Sequence, residues 1–134
     1  MRRFFAIFAL MQALKIQNTI RTAGVDFDPV KGSLTVYGNS IPENSDGYFQ
    51  PLHDWIEQFR QEYTGHVKFR VFMTYFNTAT IRHIISMMKR LIHYYGDKLV
   101  IEWAYERGDE EIRDRGQDIS EVVKFNFVFE EVKE

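Results

Sequence analysis

Between residues 67 and 105 the spacing of apolar residues changes twice, and this limits the fold more than any other feature of the chain. Residues 67–76 alternate and are rich in Val, Phe and Tyr. Residues 98–105 also alternate, with Leu99, Ile101 and Trp103 on one face, so both segments read as strands. Between them Ile81, Ile84, Ile85, Met88, Ile92 and Tyr95 recur at helical spacing, and Gly96 follows where a C-terminal cap belongs. A strand, a helix and a strand in this order imply a right-handed crossover between parallel strands.

The pattern extends in both directions. Residues 14–20 and 33–37 read as antiparallel neighbours around the turn-rich segment 26–32, where Asp, Pro and Gly supply local hydrogen bonds, a fixed φ and a positive φ. Phe49, Leu52, Ile56, Phe59 and Tyr63 form a further helical stripe, and Pro51, tolerable in a first turn, puts its regular start near Gln50 or leaves a distorted opening turn before it. Residues 109–122 give a short acidic helix with few apolar anchors. Residues 124–132 close the chain as a strand in which Phe125, Phe127 and Phe129 alternate. No repeat or linker interrupts residues 14–134. The expected fold is one α/β domain, a mixed sheet of about four to five strands with helices packed on it, after an extension over residues 1–13.

Composition excludes several functions. A chain of 134 residues that is 45% apolar suits one core. Without cysteine it has no disulfide, thiolate nucleophile, Cys-ligated zinc or iron–sulfur cluster. A net charge of −2, from 17 basic and 19 acidic residues, leaves no electrostatic footprint for nucleic acid. Arg2 and Arg3 precede an apolar run over residues 4–14, broken by Gln12, which imitates a signal peptide but is too short to span a membrane. No small-x-small pattern follows directly, so the expectation is a cytoplasmic protein, with Met11 an alternative start.

Chemistry-bearing residues are sparse. His53, His66, His83 and His93 show no i, i+4 pair and no HExxH pattern, so they read as surface or boundary residues and no metal is expected. Phosphate-binding glycine loops, nucleophile elbows and kinase signatures are missing, which points to a protein with no catalysis of its own and no cofactor. The acidic stretch Glu106, Asp109, Glu110, Glu111, Asp114, Asp118 and Glu121 reads as a solvated face or as a surface for a basic partner. The segment Ser40, Ile41, Pro42, Glu43, Asn44, Ser45 reads as a stop-and-start signal between elements. In residues 75–81 a strand end meets a helix start, where Asn77 or Thr78 serves as N-cap and the helix dipole favours an anion. A phosphoryl group on Thr78 would add about −1.5 to −2 charges there. Thr74 and Thr80 are the competing acceptors.

Three stretches together resemble the SiaC family of bacterial regulatory phosphoproteins: residues 40–45 with Asp54-Trp55-Ile56-Glu57, Phe76-Asn77-Thr78 with Thr80-Ile81, and Trp103-Ala104-Tyr105 running into Asp109-Glu110-Glu111-Ile112. Their order matches from Leu14 to Glu131, while Pro51 and the arginine-led N-terminus depart from the pattern. The resemblance implies a STAS-like fold, similar to anti-sigma-factor antagonists. It also implies a threonine, here Thr78, modified by a dedicated protein kinase and cleared by a PPM-type phosphatase. The unphosphorylated form is implied to bind a diguanylate cyclase and raise cyclic-di-GMP in biofilm control. Pro42, Glu43, Asn44, Ser45, Asn77 and Thr80 are the expected partner-binding residues. Sequestration of an anti-sigma factor and small-ligand binding are the alternatives.

Overall fold

Asp28 and Gly32 fold the chain back on itself at its first tight turn. The Asp28 carboxylate accepts from the amides of Val30 at 2.9 Å and Lys31 at 3.1 Å, bonds that hold its pKa below the ordinary range. Gly32 takes φ +69, and a Cβ there would lie 2.6 Å from the His66 carbonyl. In the computed structural model, which describes residues 11–133, this turn joins β2 (Gly24–Asp28) to β3 (Ser33–Ser40). The sheet continues with β1 (Leu14–Ile16), β4 (Val67–Phe76), β5 (Leu99–Glu106) and β6 (Val128–Val132), in the order β1-β2-β3-β4-β5-β6. The β1–β2 and β2–β3 pairs are antiparallel; the other three are parallel.

Each parallel step is bridged by a helix: α1 (Ser45–Glu62), α2 (Thr78–Tyr95) and α3 (Glu110–Val123). Successive crossovers of one hand, all advancing in one direction across a sheet, place their helices on the same face. The side chains agree. Val67, Phe69, Val71 and Met73 of β4 are buried under the helices, while Lys68, Arg70 and Phe72 on the opposite face stay partly open. Arg70 pairs there with Glu102 at 2.6 Å and with Glu130, tying β4 to β5 and β6. Residues 1–10 of the expected extension over residues 1–13 lie outside the described residues; of the rest, Met11 packs on the core and the Gln12 carbonyl accepts from the Trp55 indole at 2.8 Å.

The expected strand–helix–strand unit stands as read, with β4 and β5 parallel neighbours around α2 and Gly96 capping it at φ +51. Three expectations need correction. Among the described residues the sheet has six strands rather than four to five, because residues 24–28, the last three of them expected in the turn over residues 26–32, pair with both β1 and β3. Consequently the first strand and Ser33–Ser40 are not neighbours. Helix α1 begins at Ser45 rather than near Gln50, and Pro51 sits inside it. The amide that Pro51 lacks would have met the Gly47 carbonyl, and both residues are exposed, so water can take that acceptor. The last strand is shorter than residues 124–132, because Lys124 adopts a left-handed conformation that ends α3 and delays β6 to Val128.

Helix α3 lies close to β5 for a specific reason. Gly116 faces the Trp103 ring, where a Cβ would come within 2.4 Å, and the Trp103 indole donates to the Ile112 carbonyl at 2.9 Å. Gly116→Ala should therefore lower the urea unfolding midpoint, with a loss of about 1–3 kcal/mol from overpacking, although alanine is the better helix former by about 1 kcal/mol.

Candidate functional site

The C-terminal ends of β3, β4 and β5 hand over to the three helices, so three helix N-termini gather at one end of the sheet. Each is closed by a side-chain cap. Asn44 accepts from the Gly47 amide at 3.0 Å, Asn77 from the Thr80 amide at 2.9 Å, and Asp109 from the Ile112 amide at 3.1 Å. Helices α1 and α3 carry carboxylates in their first turns, Asp46 in one and Glu110 and Glu111 in the other; the first turn of α2 has none. The positive end of the α2 dipole is thus the one left without a negative side chain of its own.

The start of α2 is fastened to the end of β3 and the loop after it. The Asn77 amide donates to the Ser40 carbonyl at 3.1 Å, and Ser40 and Thr80, both fully buried, join their hydroxyls at 2.8 Å. Thr80 Oγ1 also lies 3.1 Å from the Ser40 carbonyl. A bulge in β4 opens the register beside this junction: Met73 faces Gly38 and Tyr75 faces Asn39, leaving Thr74 between pairs, its hydroxyl donating to Asn39 Oδ1 at 2.6 Å. Asn39 in turn reaches the Ile20 carbonyl at 3.4 Å, and the Ile41 amide donates to the Arg21 carbonyl at 2.8 Å, so the β1–β2 loop joins the same end.

The three threonines consequently differ. Thr80 is inaccessible, Thr74 is half-buried and bonded, and Thr78 is exposed, its hydroxyl without a hydrogen bond among the described residues. Among the residues singled out in the sequence, Glu43 and Asn44 are exposed, Ser45 and Asn77 half-buried, and Pro42 and Thr80 buried. The last two reach a partner only through the shape they give the junction. Tyr75, 59% exposed, and Ile20, 82% exposed, are apolar surface at this end that the sequence reading did not select. Their position on the bulge and the β1–β2 loop follows from pairing that no local motif signals. The concavity beside them, between Tyr75, Phe76, Asp109, Ile112 and Arg115, holds about 120 Å³, well under the roughly 300 Å³ at which small-molecule sites begin.

The histidines also arrange themselves in a way their spacing hides. His53 of α1 and His83 of α2 are hydrogen-bonded at 3.0 Å, and His83 meets Asp46 at 2.9 Å on its other nitrogen. Burial, with His83 and the Arg90 guanidinium as neighbours, lowers the His53 pKa. No helix among the described residues is long and apolar enough to cross a membrane.

This end, with its exposed threonine at a helix start and only a shallow concavity, has the build of a small regulatory binding module. The model of the SiaC family, described as a regulatory phosphoprotein family, matches residues 16–132, and the chain belongs to that family. An uncharacterised protein of Pseudomonas aeruginosa strain UCBPP-PA14 is 27% identical over 122 residues, covering 90% of this chain and 97% of that protein. The fold matches SiaC of Pseudomonas aeruginosa with a TM-score of 0.77 at 25% identity, over 92% of this chain and all of that one. It also matches the structure of the diguanylate cyclase SiaD in complex with its activator SiaC from the same organism, with a TM-score of 0.80 at 25% identity over 90% of this chain and 99% of that chain.

Replacing Thr80 by Val should cost about 1–3 kcal/mol, because it leaves the buried Ser40 hydroxyl without that partner. Urea unfolding of Thr80→Val, Ser40→Ala and the double variant should show the two losses to be strongly non-additive, the double variant costing less than their sum.

Proposed function

We propose that this protein is a non-enzymatic signalling module whose unphosphorylated form binds and regulates an output protein, a diguanylate cyclase by analogy with the SiaC complex, and that a phosphoryl group on Thr78 ends the binding. A protein kinase and a PPM-type phosphatase acting on Thr78 in the cytoplasm complete the cycle. The observation that carries this reading is the combination at the start of α2: an exposed Thr78 on a helix with no acidic residue in its first turn, flanked by a buried Thr80 and an engaged Thr74.

The physics favours both states. The first amides of a helix have no carbonyl partner within it, so the phosphoryl oxygens gain donors and the favourable end of the dipole. The same group adds bulk and about two negative charges at the end of the sheet where Tyr75, Glu43 and Asn44 are also exposed, which penalises a partner packed on the bare hydroxyl. Phosphorylation therefore stabilises the free protein while it destabilises the complex.

Two measurements test this. Mass spectrometry of the tryptic peptide spanning residues 71–82, from protein isolated in its native host, should place phosphate on Thr78 and not on Thr74 or Thr80. In binding assays with the host's cyclase, Thr78→Ala should keep wild-type affinity and Thr78→Glu should lose about tenfold or more, equal to about 1.4 kcal/mol. Equal affinity for both variants would remove the switch.

A further inference from the structure

We infer that the Asp46–His83–His53 relay makes the packing of α1 on α2 sensitive to protons at the end of the sheet that carries Thr78. The inference concerns the same end of the molecule as the proposed function but rests on the histidine geometry and the charges around it, and its test reads conformation rather than partner binding. It therefore stands or falls separately.

The hydrogen positions follow from the partners. An ionised Asp46 carboxylate only accepts, so His83 Nε2 carries a hydrogen and points it at Asp46 Oδ1, 2.9 Å away. In neutral His83 the other nitrogen, Nδ1, is then a lone pair. It accepts from His53 Nε2 at 3.0 Å. The His83 ring is stacked on Phe49 of α1 at 4.8 Å and its side chain is only 19% exposed, so it cannot turn away without unpacking that contact.

One added proton is compatible with this arrangement. If it settles on His53 Nδ1, the His53-to-His83 bond keeps its direction; if it settles on His83 Nδ1, His53 need only shift its own hydrogen and accept. Two added protons are not compatible, because two N–H groups then face each other across 3.0 Å. The surrounding charges divide. Burial opposes protonation of His53, followed by the neighbouring His83 and by Arg90 of α2, whose guanidinium reaches the His53 carbonyl at 3.5 Å, while Asp54 and Asp46 of α1 favour it. Arg90 is itself held by Glu57 of α1 at 2.5 Å, which fixes that positive charge on the seam.

The sign follows from the lowered pKa of His53. A histidine that binds its proton less readily in the folded than in the unfolded state contributes stability that is fully present above its ordinary value of about 6.5. That stability is lost as pH falls from there toward the lower folded value. The loss concentrates where the relay is anchored. Asp46 is the second residue of α1, directly after the Asn44 cap and the Ser40–Ser45 loop, and His83 lies little more than one turn from Thr78. Acidification thus loosens the packing of α1 on α2 at the His53–His83 contact, between the third turn of α1 and the second turn of α2.

The experiment is a titration of the full chain from about pH 7.5 to about pH 5.5, followed by ¹H–¹⁵N correlation spectra and by urea unfolding, in wild type, His53→Gln and His83→Gln. In wild type the amides of residues 44–47 and 78–83 should shift together, and the folding equilibrium constant should fall severalfold more than in His53→Gln. Glutamine keeps an N–H to donate to His83 without a titrating ring. His83→Gln supplies the same comparison from the other helix if the first variant folds poorly. His66 and His93 remain in every protein, so the difference isolates the pair. Amides at both helix starts that stay fixed in wild type, or that move as far in both variants as in wild type, would overturn the inference.

Discussion

The hydroxyl pair of Ser40 and Thr80 is the constraint on which the end of the molecule carrying the candidate site depends. Ser40 ends β3 and Thr80 lies in the first turn of α2, so the bond joins two elements that are adjacent in space but separated by α1 and β4 in the chain. With both residues fully buried, the two hydroxyls have little recourse to water, and their mutual satisfaction is worth more than an exposed bond of the same length. The junction fixes the direction in which Thr78 leaves the surface. It also anchors the Ser40–Ser45 loop and, through the Asn44 cap, the first turn of α1.

Parallel connectivity explains why so much gathers at one end. Because β3, β4 and β5 each run into a helix with the same sense of crossover, every helix start, with its unpaired amides and positive dipole end, lies at the C-terminal edge of the sheet. Two of the three starts are neutralised by fixed carboxylates. Only the first turn of α2, where a threonine stands, has no such carboxylate of its own. Among the described residues the opposite face carries no helix, and it is held by the Arg70 pairs with Glu102 and Glu130, which satisfy a half-buried guanidinium across three strands.

Legibility in the sequence followed the strength of the local signal. The unit β4–α2–β5 could be read because its apolar periods are long and its cap is a glycine, and Thr78 could be placed at its helix start by the same logic. Strand β2 could not. It has two buried alternating residues, Val25 and Phe27, after a buried Ala23, and it ends in the Asp-Pro-Gly signals of a turn, so the turn chemistry outweighed a short alternation. The start of α1 was hidden by Gly47 and Pro51, poor helix formers whose penalty is offset by the cap and by Phe49, Leu52 and Trp55 packing on the core. The accessibility that separates Thr78 from Thr80 has no sequence signature, since both are threonines within one turn. The His53–His83 contact, 30 residues apart on two helices, exists only once α1 and α2 pack.

The choice of residue at the start of α2 carries its own argument. A permanent Asp or Glu in that turn would stabilise the helix by about 0.3–1 kcal/mol, as Asp46 and Glu110 are placed to do for the neighbouring helices. This helix forgoes that gain and keeps neutral residues, Thr78, Ala79 and Thr80, in the same positions. Asn77 supplies the cap without charge, so the fold does not need the missing anion in order to form. A helix start that is structurally complete yet electrostatically unfilled can hold a negative group in one state and do without it in another. A conditional charge requires this arrangement, and a carboxylate side chain would have abolished it.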